Sequence, residues 1–303
     1  MKLLVQPDDD LAPLLNAVRQ ARKSIELMVF RFDRPALEKA LGEAVIRGVS
    51  VRALIAHTNS EGERALRKLE LRLLAAGVTV ARTADDLVRY HAKYFIVDRQ
   101  RLFLLGFNFT ALDISHSRSF GLEVRSKPVI QDVLRLFEAD AARQTFSPGH
   151  RDLVVSPINA RERLTRFIRS ARRELLIYDP KLSDLRMIRL LRERARAGVA
   201  IRILGRVAKP GASLPWARLA GVRLHVRAMV ADGRQAFVGS QSLKRLELDG
   251  RRELGLFVRE PSIVRQMADV FEADWAKSAP KPPDEEAKAA GSPELEAAAV
   301  AAT

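Results

Sequence analysis

Two stretches of this chain share one pattern, and the duplication restricts the possible folds more than any other feature of the sequence. The stretch HAKYFIVD begins at His91, and the stretch HVRAMVAD begins at His225, 134 residues later. The same offset relates the two copies of Phe-Glu-Ala-Asp that begin at Phe137 and Phe271. A chain of two similar halves can bring equivalent residues together about a pseudo-twofold axis. We therefore expect His91 and His225 to share one site.

Both halves follow the same order of helices and strands. Apolar residues recur at helical spacing over 11–18 and again over 164–171. A strand-like apolar run follows each of these helices, at 25–30 and at 175–178. Because strands alternate with helices along the chain, the sequence predicts an α/β layered fold, formed twice.

The boundaries of the halves follow from the repeat. We predict one half over 1–150, a second over 151–276, and a disordered tail over 277–303, where Pro, Ala, Lys and Glu predominate. The first half contains extra residues around 58–70 and 82–89. We interpret them as longer connections.

The composition limits the location and the partners of the protein. Fifty-two Lys and Arg against 37 Asp and Glu give a net charge of +15, which favours a polyanionic partner such as nucleic acid or an anionic membrane surface. Arginines scattered over helices by compositional bias are the alternative explanation. Cysteine is absent, so disulfide and thiolate chemistry are excluded. With no long apolar run and no signal-peptide pattern, we expect a cytoplasmic protein, with peripheral binding to the inner membrane face as an alternative.

The repeated histidine segments have the pattern of strands that end in a turn. Residues i and i+2 of a strand point to the same face, so His91 should project with Lys93, and His225 with Arg227. An imidazole beside a fixed cation suits phosphate, because the cation binds its oxygens and the imidazole attacks phosphorus or transfers a proton. Asp98 and Asp232 fall at the turns, and we interpret both as turn and backbone-capping residues.

No metal or cofactor is expected from the sequence. The five histidines include no HxxxH or HExxH spacing, which argues against a zinc site. A phosphate-binding loop of the GxxxxGK[ST] type is also absent, so nucleotide hydrolysis is not indicated.

The doubled motif resembles that of the phospholipase D superfamily, whose signature is HxKxxxxD followed by Gly-Ser-x-Asn and an acidic residue. The resemblance covers roughly residues 5–276. It implies two phospholipase D-like halves, each a mixed β-sheet flanked by helices, packed with pseudo-twofold symmetry. It also implies a metal-independent phosphodiesterase or phosphatidyltransferase that works through a phosphohistidine. One chain would suffice to form the site, and the oligomeric state stays open.

The two halves depart from that signature in different places. In the first half Asn108 is kept, but Gly106 stands where Ser is usual and Ser119 occupies the acidic position. The second half departs at two positions, with Arg227 in place of Lys and Ser242 in place of Asn. It keeps the serine, Ser240, and the acidic residue, Glu253.

Transferred by motif position, the resemblance implies a role for each site residue. His91 would be the nucleophile, because its half keeps Lys93 and Asn108, and His225 would be the general acid and base. The substrate phosphate would be bound by Lys93, Asn108, Arg227, Ser240 and Ser242. Glu253 would orient a histidine, and the sequence leaves open which of the two.

Three functions remain open at this stage. The leading hypothesis is an enzyme that acts on phospholipid phosphodiesters, by hydrolysis or by headgroup transfer. A metal-independent nuclease of the same superfamily is the second, since the net charge favours nucleic acid as much as an anionic membrane. The third is a protein that binds phosphate-rich surfaces without catalysis.

Overall fold

The computed structural model describes residues 1–58 and 61–278 and the backbone of Pro280–Lys281. The elements of the first half are β1 (Lys2–Gln6), α1 (Ala12–Arg19), β2 (Ser24–Val29), α2 (Pro35–Ile46), β3 (Ser50–Ile55), α3 (Glu63–Ala75), β4 (Thr79–Arg82), β5 (Arg89–Tyr90), β6 (Tyr94–Val97), β7 (Arg101–Leu105), α4 (Ala111–Ser115), β8 (Ser117–Val124) and α5 (Lys127–Ala141).

The second half repeats this order with a shorter middle part. Its elements are β9 (Leu153–Ser156), α6 (Ala160–Ser170), β10 (Glu174–Leu182), α7 (Leu185–Arg196), β11 (Ala200–Val207), a 3₁₀ turn (Lys209–Gly211), β12 (Trp216–Ala217), β13 (Arg223–Leu224), β14 (Arg227–Ala231), β15 (Gln235–Gly239), α8 (Arg245–Asp249), β16 (Arg251–Val258), α9 (Pro261–Lys277) and β17 (Pro280–Lys281).

Each half forms one mixed sheet. The strand order is β1-β8-β7-β6-β2-β3-β4 in the first sheet and β17-β12-β11-β10-β14-β15-β16 in the second. In the first sheet β2, β3 and β4 run parallel, and the other neighbours are antiparallel. The second sheet has the same division, with β10, β11 and β12 parallel. The predicted α/β fold of two similar halves is confirmed.

Two short strands exchange between the sheets. Strand β5 precedes His91 but pairs in parallel with β16 of the second half, and β13 precedes His225 but pairs with β8 of the first. The chain thus crosses from one sheet to the other at each histidine. We predicted both histidines inside strands, and this was wrong: each lies between two strands of different sheets, where neither ladder continues.

The core explains how the halves are held together. A central cluster of buried apolar residues takes side chains from both sheets and from α5 and α9. The outer face of the first sheet packs on α1, α2 and α3, and that of the second on α6 and α7. Strand β1 shows the alternation, since Leu3 and Val5 face the central cluster and Leu4 the outer one. Both faces of each sheet are therefore covered.

Two further predictions can be compared with the structure. The extra residues of the first half do not form simple connections, because Glu63–Ala75 is a helix with Leu66, Leu69 and Leu73 buried. The predicted tail, 277–303, lies mostly outside the described residues; Lys277 still ends α9, and Pro280–Lys281 pairs with Trp216–Ala217. Among the described helices, none combines the length and apolar character needed to cross a bilayer.

Candidate active site

The crossing of the chain between the sheets places each histidine against a strand of the opposite half. The backbone N–H of His91 donates to the carbonyl of Arg252 at 2.7 Å, and that of His225 donates to the carbonyl of Arg118 at 3.1 Å. Each histidine is therefore fixed by the strand of the opposite half. Both side chains are nearly buried, with 7% of each residue exposed.

Glu253 contacts the histidine of the other half. Its Oε2 lies 2.8 Å from Nδ1 of His91, and the carboxylate is fully buried. This answers the question that the sequence left open: the acidic residue reaches across to His91 and does not contact the histidine of its own half. A carboxylate at Nδ1 favours the tautomer with the proton on Nδ1, and this tautomer leaves a lone pair on Nε2.

Ser119 holds the equivalent place beside His225. Its hydroxyl oxygen lies 3.4 Å from Nδ1 of His225, the same ring atom that Glu253 contacts on His91. A neutral hydroxyl at this distance fixes the ring less firmly than a carboxylate. The two imidazoles therefore have unequal surroundings, although the backbone around them is repeated.

One cation accompanies each histidine. Lys93 is buried, and its Nζ lies 2.8 Å from both ring nitrogens of His91, so the ammonium group rests against the ring. Arg227 donates from one terminal nitrogen to the carbonyl of His225 at 2.8 Å. The Arg227 charge also acts on His91, and the Lys93 charge on His225, which places both pairs in one electrostatic site.

Burial and mutual charge shift the pKa values of these groups. Burial, followed by the neighbouring Lys93, holds the pKa of His91 well below its usual value. The pKa of His225 is lowered too, by burial and then by Arg227. Burial lowers the pKa of Lys93 to about 7, and burial raises that of Glu253. At neutral pH, His91 is accordingly an unprotonated base.

Two carboxylates that the sequence analysis missed complete the site. Asp113 Oδ2 lies 3.6 Å from Nε2 of His225, and Glu247 Oε2 lies 3.6 Å from Nε of Arg227. Burial raises the pKa of Asp113, but His225, the Asn108 amides and Arg223 outweigh it, and the pKa is below its usual value. The internal repeat could have identified both residues, because they are acidic and are separated by the repeat offset of 134 residues.

The residues predicted to bind phosphate contact these carboxylates and the backbone. Asn108 donates from its side-chain and backbone nitrogens to Asp113 Oδ2, at 2.6 and 2.9 Å. Ser242 repeats the backbone contact, donating to Glu247 Oε2 at 2.9 Å. The hydroxyl of Ser240 accepts from the Leu254 N–H at 3.1 Å, next to Glu253. The contacts of Asn108 and Ser242 orient Asp113 and Glu247.

The departure at Gly106 has a steric reason. A Cβ atom built on Gly106 would lie 2.9 Å from the carbonyl oxygen of Phe120 and 3.1 Å from that of Gly239. Gly239 belongs to the opposite half, so the backbones of the halves approach closely here. Only glycine leaves room for this approach.

The motif aspartates bind backbone. Asp98 accepts from the N–H groups of Arg22, Lys23 and Ser24 at 2.7–3.1 Å. Asp232 accepts in the same way from the backbone of 172–174. Both adopt positive φ, 53° and 56°, as turn residues do. This is the turn and capping arrangement that their position suggested.

A second pair of contacts joins the halves below the histidines. The guanidinium of Arg118 binds Asp274 through two hydrogen bonds of 2.9 and 3.1 Å. The equivalent Arg252 lies 3.1 Å from Asp140. The Phe-Glu-Ala-Asp repeat thus supplies the carboxylates that fix the two strands carrying the histidine contacts.

The assembled groups can perform phosphoryl transfer. The site offers an unprotonated Nε2 on His91, an imidazole beside a carboxylate on His225, and two cations for phosphate oxygens. No trio of His, Asp or Glu within 1–58 and 61–278 is arranged to hold a metal ion.

Comparison with known families agrees with the repeat. A family model described as "Cardiolipin synthase, PLD-like domain" matches residues 14–141 and 164–275. The mitochondrial cardiolipin hydrolase of Mus musculus is 30% identical over 150 residues, which is 48% of this chain and 66% of that protein. The match thus spans just under two thirds of that relative.

Two solved structures share the fold over nearly the whole chain. The polyphosphate kinase from Porphyromonas gingivalis has a TM-score of 0.78 at 19% identity, covering 93% of this chain and 48% of that one. The phosphatidylserine synthase from Haemophilus influenzae Rd KW20 has a TM-score of 0.72 at 9% identity, covering 92% and 87%. At these identities the similarity concerns the fold alone.

Proposed function

The chain belongs to the phospholipase D superfamily, and on that premise we propose that it cleaves or transfers phospholipid phosphodiesters through a phosphohistidine on His91. The observation that supports this most directly is the contact of 2.8 Å between Glu253 and Nδ1 of His91. It prepares one imidazole, and not the other, as the nucleophile. His225 then serves as the general acid and base.

The reaction proceeds in two steps. His91 Nε2 attacks phosphorus as the bond to the leaving alcohol breaks, and His225 gives the proton on its Nε2 to the departing oxygen. Water then attacks phosphorus and yields its proton to His225, while the P–N bond breaks and restores His91. An alcohol in place of water gives a phosphatidyl-alcohol.

The other residues stabilise charge in these steps. Lys93 and Arg227 bind the non-bridging oxygens, whose negative charge grows in the transition state. Asp113, 3.6 Å from Nε2 of His225, acts against the burial and the Arg227 charge that lower the pKa of this histidine, and so favours the imidazolium that donates the proton. Asn108 and Ser242 hold Asp113 and Glu247 in place, and together with Ser240 they border the phosphate.

Phospholipid is the substrate class that the relatives favour. The matching family model and the mouse relative are both named for cardiolipin, and one structural neighbour is a phosphatidylserine synthase. The net charge of +15 suits an anionic membrane surface, so we propose a cytoplasmic protein that binds the inner membrane face peripherally. The same charge keeps a metal-independent nuclease as the second candidate.

Alcohol exchange tests the proposal. In mixed micelles with chelator present, the wild-type protein should convert a phospholipid and a primary alcohol into the phosphatidyl-alcohol, detected by mass spectrometry. We expect His91→Ala to lower turnover by roughly 10⁴-fold, because the covalent route is lost. With a substrate whose leaving group is good enough to depart without a general acid, His225→Ala should accumulate phosphohistidine at His91. The exposed His57 gives the matched control, His57→Ala.

Each alternative function predicts a different experimental outcome. Undiminished activity of His91→Ala would refute the nucleophile assignment. Oligonucleotide cleavage in chelator without lipid turnover would establish the nuclease. Salt-sensitive polyanion binding without turnover of either substrate would establish a binding protein.

A further inference from the structure

A cavity of about 380 Å³ opens beside the second histidine. It lies between the C-terminal end of β11 and the segment that leads into His225. Its lining includes three arginines and three apolar residues, Arg206, Arg218, Arg223, Leu219, Val222 and Leu224. We call it the arginine pocket.

The arginine pocket adjoins the catalytic groups through one arginine. Arg223 donates to Asp113 Oδ1 at 2.7 Å, and the other oxygen of that carboxylate lies 3.6 Å from Nε2 of His225. Leu224, also in the lining, directly precedes His225. A ligand in the pocket would therefore border the His225 side of the site.

The charged side chains that line the pocket are all arginines. No acidic residue lines it. Arg206 and Arg218 are exposed, and neither forms an ion pair with any residue that the structure describes. Guanidinium groups bind phosphate oxygens through paired hydrogen bonds, so the free forks of Arg206 and Arg218 suit a phosphate group.

The pseudo-symmetric half lacks this pocket chemistry. At the offset of 134 residues, Arg218 corresponds to Ala84 and Leu219 to Asp85. Arg206 lies near the C-terminal end of β11, and at the offset of 150 residues that relates β11 to β3 its counterpart is Ala56. Arg206 and Arg218 are thus features of the second half alone and do not result from the repeat, whereas Arg223 has a counterpart in Arg89. Arg206 and Arg218 make the His225 side of the shared site different from the His91 side.

We propose that the arginine pocket binds a second phosphate, carried by the leaving alcohol of the substrate. This inference rests on the proposed function, in which His91 attacks and His225 protonates the leaving oxygen. Because displacement at phosphorus is in line, the leaving group lies on the side away from His91, next to His225 and the pocket.

The apolar part of the lining favours a lipid over a nucleic acid. Leu219, Val222 and Leu224 offer contact to glycerol and acyl carbons, and no aromatic ring lines the cavity for base stacking. The ligand chemistry is a phosphate on a glycerol alcohol. It could be a terminal phosphomonoester or a second phosphatidyl diester.

Three lipids with identical acyl chains distinguish a phosphomonoester from a phosphatidyl diester as the ligand of the pocket. Phosphatidylglycerol has a neutral leaving alcohol, phosphatidylglycerol phosphate adds a phosphomonoester, and diphosphatidylglycerol adds a diester. In neutral detergent micelles, we expect wild-type kcat/KM to be higher for at least one of the two-phosphate lipids than for phosphatidylglycerol. The double variant Arg206→Ala/Arg218→Ala should lower kcat/KM for that lipid by ~10- to 100-fold, because two charge-assisted contacts are lost. Turnover of phosphatidylglycerol should stay within about twofold.

A charge-matched variant controls for general attraction to the micelle. Arg186→Ala/Arg189→Ala removes two exposed arginines of α7, away from the arginine pocket, and should leave all three rates unchanged. Arg206→Lys/Arg218→Lys should retain part of the preference that the alanine variant loses, since lysine keeps the charge. That rescue separates loss of binding from loss of folding.

The outcomes are distinguishable. A loss confined to phosphatidylglycerol phosphate or to diphosphatidylglycerol supports the pocket and identifies the monoester or the diester. Equal losses on all three lipids, or none, overturn the pocket and leave the proposed function in place. No turnover of any lipid overturns both. A loss seen only with oligonucleotides replaces the lipid by nucleic acid.

Discussion

Glu253 and His91 are 162 residues apart in the chain, yet a carboxylate oxygen of the one lies 2.8 Å from Nδ1 of the other. The equivalent contact, between Ser119 and His225, has a hydroxyl at 3.4 Å. The repeat therefore builds a symmetric scaffold around unequal chemistry. This inequality is the physical basis for assigning the nucleophile to one histidine and the proton transfer to the other.

Replacing Glu253 by Gln should impair the nucleophile without changing the shape of the site. The amide keeps the size of the side chain but removes the charge that favours the Nδ1–H tautomer of His91. We expect kcat to fall by about 10²-fold or more while KM changes little, because orienting groups of this kind act mainly on the transition state. Steady-state kinetics in mixed micelles measures both constants.

Ser119→Ala is the matched control, since it alters the equivalent contact of His225. We expect less than about a threefold loss, because a 3.4 Å contact to a hydroxyl contributes little. If the two variants lost activity equally, the assignment of unequal roles would be wrong.

The pH dependence should report Lys93. Burial lowers its pKa to about 7, so in the free enzyme the ammonium loses its proton as the pH rises through that value. The contact to the phosphate oxygens is lost with the charge. We therefore expect kcat/KM to decline above about pH 7, whereas kcat declines at higher pH, because bound phosphate stabilises the ammonium.

Lys93→Arg tests the origin of that decline. A guanidinium stays protonated throughout the accessible range, so the alkaline limb of kcat/KM should move upward or vanish, although its geometry lowers the rate. A limb that stays at the same pH in this variant would belong to another group.

The sequence predicted the scaffold well because the repeated helices and strands each have a local hydrophobic pattern. The strand predicted at 25–30 is observed as Ser24–Val29, and the turn role of Asp98 follows from its place after an apolar run. Helix Glu63–Ala75 was missed, because its polar residues and the absence of a counterpart in the second half suggested a connection.

The crossing of the chain at each histidine could not be predicted in this way. It depends on pairing between Arg251 of one half and Arg89 of the other, and no local pattern encodes contacts at such a separation. The partner of Glu253 stayed undetermined for the same reason. Asp113 and Glu247 were missed because the superfamily signature has one acidic position after Gly-Ser-x-Asn, and Ser119 and Glu253 occupy it.

Restoring the usual serine at Gly106 should harm the protein. The added Cβ would lie 2.9 Å from one carbonyl oxygen and 3.1 Å from another, both in backbone that cannot rotate away. We expect Gly106→Ser to lower the free energy of unfolding by about 1–3 kcal/mol, as overpacking does. Urea unfolding measures the change, and an unchanged midpoint with higher activity would contradict it.

The ion pair between Arg118 and Asp274 should matter for stability and for catalysis together. Arg118 belongs to β8 of the first half and its carbonyl fixes the N–H of His225, while Asp274, on α9 of the second half, also accepts from the Tyr178 hydroxyl at 2.6 Å. Asp274→Asn leaves a largely buried guanidinium with only the exposed Asp8 as its counter-charge, so we expect a loss of about 1–3 kcal/mol in urea unfolding, with lower kcat. On the same helix, Glu272→Gln removes only the exposed pair with Arg202 and should cost less than about 1 kcal/mol. Equal losses of unfolding free energy in the two variants would show that the contact between the halves stabilises the protein no more than an exposed ion pair does.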